Sequence, residues 1–240
     1  MISIRFLGWL KSLYFDQRLI WHKKNYARLA SSGKILDVGC GRGDFALIAP
    51  ERIIGLDYNK HSLYIAKERG VHYLVCADAL RLPFRDQSFE NVHCADLIEH
   101  FTPGDVVTLL EELYRVLQKK GILLISSPMP TKEFWGDPSH VRPYPPESLT
   151  AFFIPDKEKG LGTNPTFRAI GKATLVGVYW RYRPLCRLPY QLQTDEQRRK
   201  VKNLIHPKSL LFFAGNLLAR LRILRFWSPA GFSLLLRKEE

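Results

Sequence analysis

Three glycines at alternate positions follow a short apolar run that contains an acidic residue. The run Ile35–Val38 precedes Gly39, Gly41 and Gly43. Glycine permits positive φ and a close approach of ligand to backbone, and a helix N-terminus adds partial positive charge. The dinucleotide fingerprint Gly-x-Gly-x-x-Gly does not fit, because Asp44 stands where its last glycine should be. Alone, this turn is a weak signal of ligand binding.

Acidic residues at the ends of later apolar runs strengthen the signal. Asp57 follows Asp37 at about 20 residues, the separation at which an acid can meet a ribose hydroxyl pair on the neighbouring strand. Asp78 and Asp96 each follow a further predicted strand. Because ligands bind at the carboxyl ends of strands in an open α/β sheet, these residues predict one ligand-binding edge.

Predicted strands and helices alternate from residue 34 to residue 127, which indicates a parallel sheet with helices on both faces. We expect strands near 34–38, 52–57, 71–76, 89–95 and 121–127, and helices near 43–49, 60–69 and 104–118. Later in the chain, a short helix is expected from Glu147 to about Phe153, and strands at Phe167–Tyr182 and Phe232–Arg237.

The segment from Lys34 to Pro128 resembles the class I S-adenosylmethionine-dependent methyltransferases, especially the small-molecule, type 11-like branch. The glycine motif, the Leu80–Phe84 continuation and the Glu99-His100 pair carry the resemblance. It implies an α/β, Rossmann-like, doubly wound sheet of seven strands in the order 3-2-1-4-5-7-6, with the last strand antiparallel. A small departure is Glu90, where the family usually has aspartate.

The resemblance also implies S-adenosyl-L-methionine as the cofactor. The glycine motif would cradle its methionine part, the acid at position 57 would bind the ribose, and the pair at 78 and 79 would lie beside the adenine. The residues expected at this site are Asp37, Gly39, Cys40, Gly41, Gly43, Asp57, Tyr58, Asp78, Ala79, Asp96 and Leu97.

The loop 128–146 follows the fifth predicted strand and should overhang the site as a lid. Within it, Trp135 and Tyr144 could shield the acceptor, and Arg142 could bind an anionic group or form a structural salt bridge. His140 is the first candidate for a general base, because imidazole titrates near neutral pH. His100 is the second, with a buttressing role as its alternative. Methyl transfer from a sulfonium needs alignment, exclusion of water and proton removal, so no metal is expected.

Length and composition favour one domain with insertions. We expect a helical cover over residues 1–33 and a methyltransferase domain over 34–240, with the lid 128–146 and a basic helical insertion at about 183–229. The four cysteines are widely spaced and include no Cys-x-x-Cys, so neither a zinc site nor a disulfide framework is indicated. Reduced thiols, and therefore a cytoplasmic location, are expected.

The net charge of +13 is carried by the two flanks of the chain. Residues 1–34 hold +6, residues 35–180 hold −2 and residues 181–240 hold +9. This asymmetry indicates an anionic partner, or simply a solvated basic surface. The helical patterns at Met1–Leu29 and Pro207–Trp227 could pack on the domain or lie in an anionic membrane surface. Peripheral attachment to the inner face of a membrane is therefore an alternative location.

The favoured function is O-methylation of a small-molecule, glycan or lipid-linked acceptor, since the segment Asp137–Tyr144 resembles methyltransferases that act on sugars and cell-envelope glycans. A nucleic-acid (RNA) methyltransferase is the first alternative, favoured by the basic flanks. It is opposed by Asp96-Leu-Ile-Glu99, where amino methylation of bases typically uses Asn/Asp-Pro-Pro-aromatic. A cofactor-binding interaction subunit without catalysis is the second alternative.

Overall fold

The described residues form one seven-stranded sheet with helices packed on it. The structure is a computed structural model that describes residues 17–29, 33–154, 169–182 and 229–239. The strands are β1 (Ile35–Val38), β2 (Ile53–Asp57), β3 (Tyr73–Cys76), β4 (Phe89–Ala95), β5 (Leu117–Pro128), β6 (Ala173–Tyr182) and β7 (Pro229–Lys238). The helices are α1 (Gln17–Arg28), α2 (Lys60–Glu68), α3 (Pro103–Val116), α4 (Lys132–Trp135) and α5 (Pro146–Thr150).

The strand order is β3-β2-β1-β4-β5-β7-β6, which confirms the predicted fold class. β1 pairs in parallel with β2 and β4, while β7 runs antiparallel to β5. The carboxyl ends of β1, β2 and β4 therefore meet at one edge of the sheet, as the acidic residues at those ends predict.

The chain divides into two compact units, residues 1–21 with 182–229, and residues 22–181 with 230–240. The second unit contains the sheet and the acidic strand ends. The basic insertion, including the helical pattern at 207–227, lies outside the described residues, as does the first half of the expected cover helix. Among the described helices, none has the length and apolar character needed to cross a bilayer.

Alternate residues of the central strands face two separate layers of the core. Leu36 and Val38 belong to the layer that α3 covers, whereas Ile35 belongs to the layer on the opposite face. α3 contributes a buried stripe at helical spacing, formed by Val106, Leu109, Leu110, Leu113 and Val116. Its first turn is fixed by Thr102, whose side chain accepts a hydrogen bond from the Asp105 amide.

Several elements differ in length from the prediction, and for two of them the local cause is visible. A helix is expected over 43–49, but only Ala46–Ile48 is helical, as one 3-10 turn. Pro50 disfavours the helical conformation at the preceding residue, and Ala49 indeed departs from it. β5 begins at Leu117 rather than residue 121, because Leu117 pairs with Phe89 ahead of an irregularity in the register.

A buried polar seam attaches α1 to the sheet. Nδ2 of Asn25 donates to Oγ of Ser126 at 3.2 Å, and Oγ of Ser233 donates to Oδ1 of Asn25 at 2.8 Å. The two serine hydroxyls lie 2.6 Å apart. Since all three residues are fully buried, these bonds satisfy polar groups that would otherwise be costly. They fix where residues 22–28 of α1 lie on β5 and β7.

Candidate active site

The glycine loop after β1 combines left-handed backbone conformations with open space. Gly39, Gly41 and Gly43 have φ of 77°, 53° and 78°, a region that favours glycine. A Cβ at Gly39 would lie 2.9 Å from Cδ2 of Leu97, whereas a Cβ at Gly41 would meet nothing within 4 Å. The loop is therefore packed against the β4 end at Gly39 and open at Gly41.

The amides of this loop are used mainly by the protein itself. The N–H groups of Gly39 and Cys40 both donate to the carbonyl of Leu56, at 2.8 and 2.9 Å. The Gly41 amide donates to Oδ2 of Asp57 at 2.8 Å. The loop thus lets a ligand approach the backbone closely, but these three amides already donate within the protein. This refines the expectation that the loop amides bind the ligand.

Asp57 ends β2 and closes the loop from the side. Besides the Gly41 amide, it accepts the amide of Asn59 through Oδ1 at 2.8 Å. Each carboxylate oxygen has two acceptor lone-pair directions, so the two amide bonds leave capacity for hydroxyl donors. The carboxylate is oriented by backbone at the carboxyl edge, which is the geometry expected of a ribose-binding acid.

Asp37 lies below this edge rather than on it. Its side chain is buried, and Oδ1 accepts a hydrogen bond from Nδ1 of His93 at 2.7 Å. The ring of His93 stacks on Phe45 with centroids 3.7 Å apart. Oδ2 of Asp37 and Nε2 of His93 have no hydrogen-bond partner among the described residues. Burial, and then His93, lower the pKa of the adjacent His22. Asp37 is therefore buried next to the end of β1 and paired with β4 through His93.

Asp96 follows β4 in a left-handed backbone conformation, with φ of 50°. Its carboxylate is held by the guanidinium of Arg181 from β6 through contacts of 2.9 and 3.1 Å. Burial lowers the pKa of Arg181, but the charge and hydrogen bonds of Asp96 outweigh this effect. The net pKa of Arg181 is therefore raised. A Cβ at Gly231 would lie 2.6 Å from Nη2 of Arg181, so β7 needs glycine there. Sequence reasoning missed Arg181, because the ion pair joins residues 85 positions apart.

Two histidines and a buried glutamate gather beside this edge. Glu99 is 1% exposed, and its Oε2 accepts from Oγ of Ser127 at 3.3 Å. Burial, and secondarily Asp96, raise the pKa of Glu99 to about 8. The rings of His100 and His140 have centroids 5.0 Å apart. The structure thus brings together the two histidines predicted as bases, along with a glutamate to which the sequence assigns no chemical role.

Backbone carbonyls determine where each imidazole carries its lone pair. Nδ1 of His100 lies 3.0 Å from the carbonyl of Ser139, and Nδ1 of His140 lies 2.9 Å from that of Phe134. A carbonyl only accepts, so both Nδ1 atoms carry hydrogen, and in the neutral form of the ring the lone pair is on Nε2. Nε2 of His140 is 3.8 Å from Oδ2 of Asp137. The nitrogen of each ring that faces away from these carbonyls is therefore Nε2.

The lid is attached to the end of β4 by three hydrogen bonds. In addition to the His100 contact, the amide of Val141 donates to the Glu99 carbonyl at 2.8 Å. The hydroxyl of Tyr144 donates to the carbonyl of Phe101 at 3.1 Å. Tyr144 is buried, so it anchors the lid instead of offering its hydroxyl to an acceptor. Arg142 lies over the ring of Tyr144, 5.3 Å from its centroid.

The remaining predicted site residues differ in their exposure. Tyr58 and Trp135 are 80% and 63% exposed. The Asp78 side chain is exposed and caps its own turn by accepting the Leu80 amide at 2.9 Å, while Ala79 is buried. Burial raises the pKa of the Cys40 thiol, whose sulfur lies against Gly55. The Cys40 side chain is therefore packed beneath the loop and is not exposed at the strand ends.

Comparison with known proteins identifies the family. Residues 36–125 match the family model described as Methyltransferase domain. The chain is 32% identical to a demethylmenaquinone methyltransferase of Deinococcus radiodurans over 178 residues, covering 62% of this chain and 73% of that protein. It is 37% identical to a tRNA (carboxymethyluridine(34)-5-O)-methyltransferase of Xenopus tropicalis over 101 residues, covering 41% of this chain and 16% of that protein.

A solved structure gives independent support for the fold. A SAM-dependent methyltransferase from Archaeoglobus fulgidus aligns with a TM-score of 0.61 at 19% identity, covering 98% of this chain and all of that one. Against several of the curated relatives the match is partial, since the chain spans 16% to 21% of the length of the tRNA methyltransferases that it resembles. The family match, the glycine loop and the sheet order agree, and the chain belongs to the class I S-adenosylmethionine-dependent methyltransferases.

Proposed function

We propose that this methyltransferase methylates an oxygen nucleophile on a small-molecule, glycan or lipid-linked acceptor. The observation that carries the proposal is the orientation of His140, whose Nδ1–H donates to the Phe134 carbonyl, so that Nε2 is the basic atom of the neutral ring. An oxygen acceptor must lose a proton as it is methylated, and a positioned imidazole suits that task.

The residues at the carboxyl edge fit the adenosyl cofactor of the family. A Cβ at Gly41 would project into open space, so the loop leaves room where a bulky ligand must approach the backbone. Asp57 is fixed by two backbone amides at the same edge and has acceptor capacity for ribose hydroxyls. We assign Gly39, Gly41, Asp57 and the segment after β4 to cofactor binding.

S-adenosylmethionine supplies a methyl group on a sulfonium sulfur, so the C–S bond breaks as the C–O bond to the acceptor forms. Leu97 touches Gly39, and Glu99 and His100 follow within three residues. The cluster therefore follows directly, along the chain, from a residue that packs against the glycine loop. In this proposal Nε2 of His140 takes the hydroxyl proton, and Phe134 and Trp135 of α4 help exclude water beside it.

Two further observations favour an oxygen acceptor. The Xenopus tropicalis relative is named for methylation at an oxygen of a modified uridine. The lid segment Asp137–Tyr144 resembles methyltransferases that act on sugars. Neither feature identifies the acceptor, because the acceptor site of this fold is built from segments outside the matched domain.

The decisive experiment is labelled methyl transfer into cell-envelope extracts, followed by identification of the labelled product. His140→Ala should lower turnover by about 100-fold or more, with unchanged affinity for S-adenosylhomocysteine. His61→Ala, an exposed histidine on α2, is the matched control and should retain activity. Wild-type turnover in His140→Ala would remove His140 from the mechanism, and label on nitrogen or carbon would refute the oxygen acceptor.

A second candidate acceptor is RNA. Lys120, Lys172 and Arg237 line one concave surface, which could contact phosphates. The named substrates of the tRNA methyltransferase relatives point the same way. Retention on tRNA that weakens steeply with salt, together with label transfer to tRNA, would favour this candidate. Absence of both would exclude it.

A further inference from the structure

Three side chains beside the cofactor edge form a ligand set for a metal ion. Glu99, His100 and His140 each offer one ligand atom, and these atoms all lie within 4.8 Å of one another. Two imidazole nitrogens and one carboxylate oxygen are a combination that binds zinc and other first-row divalent ions. The set joins the end of β4 to the lid, about 40 positions further along the chain, so the fold rather than a local turn creates it.

The outer contacts of the two histidines are those of metal ligands. Each Nδ1–H donates to a backbone carbonyl, of Ser139 for His100 and of Phe134 for His140. Metal-binding histidines almost always donate their second ring nitrogen to a carbonyl or carboxylate, which fixes the tautomer and the ring orientation. Both rings therefore present Nε2 as the coordinating atom before any ion arrives.

The glutamate is held equally firmly. Glu99 is 1% exposed, and Ser127 orients its Oε2. A buried carboxylate is costly unless it is paired or coordinates a cation, and an ion at this position would neutralise its charge. The Val141 amide, which donates to the Glu99 carbonyl at 2.8 Å, connects the lid segment next to His140 with the glutamate. Backbone hydrogen bonds thus hold the lid segment that carries His140 against the segment that carries Glu99 and His100.

The spacing needs only a small adjustment to hold an ion. Ligands bound to one ion at about 2.1 Å lie about 3.4 Å apart in tetrahedral geometry. The separations here, all within 4.8 Å, need a contraction of at most about 1.4 Å, which rotation of side chains can provide. Oδ2 of Asp137, 3.8 Å from Nε2 of His140, is a further oxygen close to the site.

We propose that Glu99, His100 and His140 bind one first-row transition ion, such as Zn²⁺ or Mn²⁺, which holds the oxygen of the methyl acceptor. Nitrogen ligands favour these ions over Mg²⁺ and Ca²⁺. The role in acceptor binding rests on the proposed function, whereas ion binding does not. With an ion bound, Nε2 of His140 would be a ligand and would no longer be the proton acceptor. An ion-bound hydroxyl is more acidic, so water would take its proton. The metal-free expectation from sequence is revised accordingly.

The test of the site is direct ion binding by untagged protein after dialysis against a chelator. Calorimetry with Zn²⁺ and absorption spectroscopy with Co²⁺ should each give one site per chain. His100→Ala and His140→Ala should each raise the dissociation constant at least tenfold, and His61→Ala should leave it unchanged. Because His100 is exposed, His100→Ala keeps the test valid even if a change at His140 impairs folding. Equal binding by all variants, or no binding by wild type, would overturn the site.

Methyl transfer assays separate this inference from the proposed function. If the ion holds the acceptor, a chelator abolishes transfer and added Zn²⁺ or Mn²⁺ restores it. Ion binding with chelator-insensitive transfer would refute the acceptor-holding role. Transfer without any ion binding would refute the metal site and leave His140 as a free base. Ion binding without transfer to any oxygen acceptor would leave the site intact and refute the proposed function.

Discussion

A single methyl group added to the glycine loop tests where the cofactor lies. In Gly41→Ala the new Cβ would meet no atom of the described residues within 4 Å. The Gly41 amide would still donate to Asp57, because alanine keeps its N–H. Any loss of cofactor affinity beyond the effect of backbone strain would therefore report a ligand in that open space.

The matched control is Gly70→Ala. Gly70 also has positive φ, at 98°, and a Cβ there also meets nothing within 4 Å. It lies between α2 and β3, at the opposite edge of the sheet from the carboxyl ends. Left-handed backbone costs an L-residue about 1–2 kcal/mol, which for a chain of this size lowers Tm by about 2–8 °C. Both variants should show a loss of this order.

The assay is calorimetric titration with S-adenosylhomocysteine, paired with thermal unfolding. Gly41→Ala should bind at least tenfold more weakly than wild type, a difference of about 1.4 kcal/mol or more. Gly70→Ala should bind as wild type does. Equal affinities for the two variants would refute the reasoning, because the loop would then not contact the cofactor.

Two further predictions concern stability. Asn25→Ala should lower the free energy of unfolding by about 1–3 kcal/mol, because it removes two bonds of the buried seam to Ser126 and Ser233. Lys23→Ala, exposed on the same helix, should change little in the same urea titration, and equal losses would contradict the role of the seam. The hydrogen bond from Arg115 lowers the pKa of Glu112 below its ordinary 4.5, so Glu112 stabilises the fold above that pH and the benefit fades as pH falls through the lowered pKa. Urea unfolding from pH 7 to pH 3 should therefore show the gap between wild type and Glu112→Gln closing in acid, and a constant gap would refute this coupling.

The parts of the fold that sequence predicts well are those specified by neighbouring residues. The β1 to β4 strands end within a few residues of their expected positions, because apolar runs and the glycine and aspartate residues after them act locally. The shortened helix at Ala46–Ile48 obeys the same rule, since Pro50 is a local signal that limits the helix through its effect on Ala49.

The parts that sequence predicts poorly depend on packing between distant segments. No local pattern pairs Arg181 with Asp96, or places His140 beside Glu99, because the lid and β6 must first fold back onto the end of β4. One signal was available for the buried pair of His93 and Asp37. A histidine inside the buried strand β4 needs a partner, and the register places it opposite Asp37 on β1.

The central claim is that the adenosyl cofactor lies across the ends of β1, β2 and β4, with its ribose on Asp57. A crystal structure of the complex with S-adenosylhomocysteine tests this most directly. We predict ribose hydroxyls bonded to the Asp57 carboxylate and the amino-acid part beside Gly39 and Gly41. A ligand bound elsewhere, or an empty loop at saturating concentration, would contradict the claim.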